Sequence, residues 1–134
     1  MKYLGSCLCG EVTFEIEGEF EDFYLCHCER CRKDTGSAHA ANLFSSTAKL
    51  KWLTGQEKSK TYNFRSEGHI KSFCTICGSA LPNIQMDGKL LVVPAGSLDS
   101  DINIKPKGHI YYGSKANWDT KLEKAPKFEE LPNK

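Results

Sequence analysis

The stretch "YLCHCERCRKDTGSAHAANLF", Tyr24 to Phe44, places three cysteines, Cys26, Cys28 and Cys31, within six residues. A zinc ion held for structure takes four protein ligands, whereas a catalytic zinc keeps three and leaves one position open. The triplet is therefore either a closed site that borrows a ligand from elsewhere or an open site. The other four cysteines decide between these: Cys7 and Cys9 in "SCLCGEV", and Cys74 and Cys77 in "SFCTICGSALP".

Cys74 and Cys77 form a C-x-x-C followed by Gly78, the spacing at which two thiolates grip one tetrahedral ion while the glycine turns the backbone behind the second sulfur. Two partitions follow. Cys28, Cys31, Cys74 and Cys77 make a zinc ribbon and strand the other three. Alternatively Cys7, Cys9, Cys74 and Cys77 close one site and leave the triplet as a second, three-ligand site. The second partition uses all seven cysteines and is the one we favour. A closed triplet would need His27, His39, His69, Glu29 or Asp34 as its fourth ligand. His27 is the weakest of these, because a residue between two ligands projects most easily away from the metal they share. A thiol–disulfide relay is the third reading, but it usually accompanies a βαβ pattern, and none is present here.

Around these motifs the chain reads as short strands. In "EVTFEIEGEF", Val12, Phe14 and Ile16 alternate with polar neighbours, as in a strand with one buried face. Further strands are expected at Phe23–Cys26, Ala38–Phe44, Leu50–Leu53, Lys60–Phe64, Ile70–Phe73, Lys89–Pro94 and His109–Tyr112. Turn signals at Thr54-Gly55, Ser66-Glu67-Gly68, Asp87-Gly88 and Lys107-Gly108 separate many of them. One short helix or turn is expected over Cys28–Thr35 and another near Lys115–Trp118. The pattern predicts an all-β sandwich or open barrel. Residues 1–134 read as one domain, with a charged tail from about residue 120 lying on the surface and Phe128 and Leu131 available to pack back.

Eighteen basic residues against 17 acidic ones leave a net charge of +1, which gives no electrostatic reason to expect nucleic acid. No apolar run is long enough for a signal peptide or a membrane span, so a cytoplasmic setting is expected. An odd number of cysteines there points to metal ligation before a disulfide framework.

Together, "SCLCGEVTFEIEG", "CHCERCRKDTGSAHAANL", "FCTICGSALP", "VPAGSLD" and "HIYYGSKANW" resemble the glutathione-dependent formaldehyde-activating enzyme family, which includes the centromere protein V-like proteins. The resemblance runs from Ser6 to about Leu131. It implies a compact β-tent of short antiparallel strands around two zinc ions per chain. Cys7, Cys9, Cys74 and Cys77 match structural ligands of that family, and Cys26, Cys28 and Cys31 match catalytic ones. The implied activity is that of a carbon–sulfur lyase, adding a small-molecule thiol, glutathione, to formaldehyde or another small aldehyde. The chain looks shorter than the founding enzyme in loops that would shape a glutathione pocket, so the resemblance carries the fold further than the substrate. The alternative is a non-catalytic, zinc-stabilised module that binds thiols or proteins. Neither reading fixes an oligomeric state.

Zinc with three cysteine ligands can exchange a water for an incoming thiol and hold it as thiolate. Three thiolates also blunt its Lewis acidity, so orienting a sulfur substrate is the favoured role. Arg32 and Lys33 follow the triplet and either offset its charge, meet a substrate carboxylate, or form an ordinary solvated pair. His39 is a proton-shuttle candidate set against a plain packing role. Asn117 and Trp118 either line a substrate pocket or belong to a turn that buries the tryptophan.

Overall fold

A computed structural model describes residues 1–65 and 68–132. Its strands are β1 (Lys2–Ser6), β2 (Thr13–Glu17), β3 (Asp22–Cys26), β4 (Ala40–Ser45), β5 (Lys49–Thr54), β6 (Ser59–Phe64), β7 (His69–Cys74), β8 (Ala80–Leu81), β9 (Asn83–Gln85), β10 (Leu90–Pro94) and β11 (Gly108–Ile110). One α-helix, α1 (Glu29–Thr35), and several single 3₁₀ turns complete the described elements. The strands form three small sheets, ordered β1-β2-β5, β11-β3-β4-β10-β9 and β6-β7-β8. All pairings are antiparallel except β11 with β3, where His109 lies opposite Leu25 and Ile110 opposite Cys26. The expected all-β class therefore holds, with the strands arranged in three small sheets. The Ser66-Glu67 part of the expected turn lies outside the described residues.

Alternation places the core. Phe14 and Ile16 of β2, with Val12 just before it, are wholly buried, and they meet Tyr3, Phe20, Phe23, Leu43, Leu81, Leu91 and Val93 in one cluster. Phe14 lies opposite Gly5 in the β1–β2 register. A Cβ at Gly5 would stand 2.2 Å from Phe14 Cζ, so only glycine lets that ring occupy the core. Cys7 and Cys74 belong to this main cluster. Cys26, Cys31 and Ala40 form a separate small cluster, with Cys28 and Ile110 against it. The tail follows the surface, and Phe128 and Leu131 are both exposed rather than packed back.

Candidate functional site

The seven cysteines divide as four and three. Sulfurs of Cys7, Cys9, Cys74 and Cys77 lie within 4.8 Å of one another, as do those of Cys26, Cys28 and Cys31. No described group joins Cys28 and Cys31 to Cys74 and Cys77, so the ribbon pairing fails.

Two glycine-closed turns build the first cluster. Gly10 N–H bonds Cys7 O at 3.1 Å behind β1, and Gly78 N–H bonds Cys74 O at 2.8 Å behind β7. Gly78 sits at φ 79°, in the left-handed region that favours glycine. Leu8 N–H donates to Ser79 Oγ at 2.9 Å, tying one turn to the other. Backbone N–H groups also reach the sulfurs, from Val12 to Cys7 at 3.3 Å and from Ile76 to Cys74 at 3.4 Å. Four sulfurs about 2.3 Å from a tetrahedral zinc stand about 3.8 Å apart. Cys7 to Cys9 at 3.5 Å and Cys9 to Cys74 at 3.9 Å bracket that spacing. The Ser79 hydroxyl, then the Cys9 and Ser79 backbones, draw the Cys77 thiol down to about 5, whereas at Cys9 the Glu11 backbone is outweighed by burial and the neighbouring thiols, which push it up to about 12; four such thiols ionise together only beside a cation.

The triplet uses a strand end and a helix start. Cys26 ends β3, Cys28 is the N-cap of α1, and Cys31 follows one turn later, its N–H donating to Cys28 Sγ at 3.3 Å. Residues three apart in a helical turn share a face, which brings those two sulfurs together beside Cys26. Gly36, in the left-handed region at φ 65°, ends the helix by returning its N–H to Arg32 O. Burial pushes the Cys31 thiol up, and the neighbouring Cys26 and Cys28 thiols push it further. At Cys28, burial raises the thiol, but the Cys31 N–H and the adjoining thiols prevail and lower it. Three packed thiols cannot all ionise without a counter-charge, so this donor set fits a divalent cation.

None of the expected fourth ligands joins the triplet among the described residues. His27 is turned away, its Nδ1 2.9 Å from Asp119 Oδ2 and its Nε2 2.8 Å from His109 Nδ1. Asp34 is committed to His69 Nε2 at 2.8 Å and to Lys71 Nζ at 2.9 Å. Glu29 and Lys33 line a cleft of about 440 Å³ with Arg30, Tyr62, Phe64 and His69. A second cleft of about 280 Å³ reaches Cys31, and a third of about 450 Å³ reaches Cys28; His69 borders all three. Arg32 is half-buried, with its Nε lacking a hydrogen-bond partner. His39 is half-buried, its ring 5.2 Å from that of His27, and burial first, then His27 and His109, holds it below the usual imidazole range. Asn117 and Trp118 stand on an exposed turn, closed by Asp119 N–H to Ala116 O at 3.0 Å, and line none of these clefts. Sequence reasoning missed Asp119 and His109 as partners of His27. "HIYYG" reads as a strand and as part of the "HIYYGSKANW" resemblance, neither of which pairs His109 with His27, and Asp119 lies just past that motif.

The chain is similar, with 26% identity and a TM-score of 0.56, to a crystal structure of a Rhodobacter sphaeroides protein; the match covers 81% of this chain and 99% of that one. The family model for the glutathione-dependent formaldehyde-activating enzyme matches residues 2–114, a span that holds all seven cysteines. On that match, and on the two sulfur clusters it encloses, the chain belongs to the glutathione-dependent formaldehyde-activating enzyme family.

Proposed function

We propose that the protein is a zinc-dependent carbon–sulfur lyase that adds a thiol of the glutathione type to a small aldehyde at the Cys26, Cys28 and Cys31 cluster. The observation that carries this reading is a three-sulfur group with no fourth protein donor among the described residues, bordered by open clefts at Cys31 and at Cys28. In the reaction the thiol S–H adds across the aldehyde C=O, so a carbon–sulfur bond forms and the proton ends on the former carbonyl oxygen. A zinc ion bound by the three cysteines would supply an open coordination position and hold an incoming thiol as its thiolate.

The chain's own residues supply placement. The cleft at Cys31 runs between β4 and β7, and Asn42, Lys71 and Gln85 line it with polar groups able to orient a peptide-like thiol. Lys71 is itself fixed by Asp34, on α1, so the wall of the cleft and the helix bearing Cys31 move as one unit. Holding thiol and aldehyde together in that cleft converts a bimolecular encounter into an oriented one, which is where we place most of the rate gain. His39 is the residue we assign to proton exchange: among the described residues its ring makes aromatic contacts only, and burial lowers its proton affinity. In this reading Cys7, Cys9, Cys74 and Cys77 hold a second, structural zinc.

The test follows equilibration of the glutathione–formaldehyde adduct, which also forms unaided. Wild-type protein should accelerate it above the buffer rate, and Cys28→Ser should return it to that rate. A wild-type rate equal to buffer would favour a thiol- or protein-binding module without turnover.

A further inference from the structure

His27 lies between two of the three clustered cysteines, yet its ring points into a separate polar network. Its side chain is only 1% exposed and faces the Asp119 carboxylate through Nδ1 and the His109 ring through Nε2. Its backbone N–H is also taken, donating to Ile110 O at 2.9 Å. Aromatic rings close round it: His39 at 5.2 Å, His109 at 5.0 Å and Tyr112 edge-on at 5.1 Å. Lys115 Nζ stands 4.1 Å over the Tyr112 ring. His27 Nδ1 stands 2.9 Å from Asp119 Oδ2, a close charge contact off the line of a hydrogen bond, and Nε2 shares a hydrogen bond with His109 Nδ1. The carboxylate contact, the one hydrogen bond and the surrounding rings together hold the His27 ring in place.

Asp119 lies beyond residue 114, where the family match ends. Past that point only Ala116 and Asp119 are buried among the described residues. Burying a carboxylate costs free energy unless its partners return it, and His27 is the partner on which this one converges. The remaining tail contributes nothing comparable to the interior.

We infer that Asp119 is a positioning residue for the triplet: acting through His27, with His109 on the far side, it holds the Cys26–Cys28 loop in the geometry that retains the metal. Cys26 and Cys28 are each one peptide bond from His27, so the ring's anchorage fixes the backbone from which both sulfurs project. Release of the ring frees the two sulfurs together, while Cys31, carried by α1, stays in place. Groups bonded directly to metal ligands commonly change metal affinity by about 10- to 100-fold when removed, and Asp119, acting through His27, should fall at the lower end of that range. The inference rests on the reading of the triplet as a metal site, but it concerns retention of the ion rather than turnover.

Zinc release from the folded, two-zinc protein to an excess of a chromogenic chelator tests it. Wild type should show a fast phase from the triplet and a slow phase from the four-cysteine site. Asp119→Ala should accelerate the fast phase by about 10-fold and leave the slow phase unchanged. Asp119→Asn keeps a polar oxygen beside His27 Nδ1 and should stay within about 2-fold of wild type. His109→Ala alters an exposed ring and should shift the fast phase in the same direction, which keeps the test available if Asp119→Ala does not fold. An unchanged fast phase in either alanine variant would overturn the inference alone, as would equal acceleration of both phases or an Asp119→Asn protein as leaky as Asp119→Ala. A wild type that binds a single zinc would overturn the metal-site reading with it.

Discussion

The two cysteine clusters occupy different kinds of ground. Cys7 and Cys74 are members of the main apolar cluster, and the turns that carry the four sulfurs bring the β1–β2 edge against the β7–β8 edge. The triplet belongs to a small satellite cluster with Ala40, at the junction of β3 and α1 and beside open clefts. In the proposed reading, a metal in the first place would tie the β1–β2 edge to the β7–β8 edge. In the same reading, a metal in the second place would sit on a frame built by β3, β4 and α1. On that reading, the difference would separate a site that makes the fold from a site that the fold presents.

The largest expected effect tests that separation at its root. Structural zinc contributes on the order of 10 kcal/mol to small domains, about the whole stability margin of a folded chain. Cys74→Ser should therefore abolish cooperative unfolding as followed by circular dichroism. Cys31→Ser should retain it. If Cys31→Ser collapses while Cys74→Ser survives, the two roles are reversed.

Next in size is the main core that surrounds the first site. Phe14→Ala removes a fully buried ring facing Gly5 and Trp52 and should cost about 3–5 kcal/mol in urea unfolding. Zinc release from the triplet of the still-folded fraction should not change. A coupled change would show that the satellite cluster is not independent.

A smaller effect lies on the frame of the triplet. Asp34 ties α1 to His69 and Lys71 of β7. Asp34→Ala should lower stability by about 1–3 kcal/mol, and zinc release should quicken from the triplet before the four-cysteine site. Equal quickening would place Asp34 in the general scaffold instead.

The smallest effect is distant from both sites. The Ser46 hydroxyl, with the Ser46 N–H and the Ser45 hydroxyl, holds the Glu21 carboxyl below its usual range. A depressed folded-state value stabilises above the ordinary carboxylate range and is lost as pH falls through the folded value. Glu21→Gln should cost less than about 1 kcal/mol near pH 7, given the exposure of the group. The gap to wild type should narrow in acid, and a gap that widens in acid would contradict the assignment.

Much of this was legible in the residues. Alternation located β2, and the C-x-x-C-G and C-x-C-G spacings, read with the count of cysteines, gave the four-plus-three division that the sulfur positions bear out. The short helix or turn expected over Cys28–Thr35 is α1, which Gly36 ends in the folded chain. Other features depended on pairings that no local pattern encodes. The strand "KYLGS" carries a glycine whose purpose appears only opposite Phe14. β8 and β9 are two- and three-residue strands on either side of Pro82, too short to show a period. The projection of His27 away from the metal followed from its position between ligands. The Asp119 carboxylate that receives it lies on another segment, and only the folded chain brings the two together.

Sulfur coordination seen by zinc-edge X-ray absorption tests the difference between the two sites most directly. A four-sulfur site and a three-sulfur site, both filled, average about 3.5 sulfurs per zinc. Adding glutathione should raise that average to about 4 as a substrate sulfur enters the open position, with two zinc ions per chain throughout. An average already at 4 without the thiol, or one that glutathione leaves unchanged, would contradict an open site at Cys26, Cys28 and Cys31.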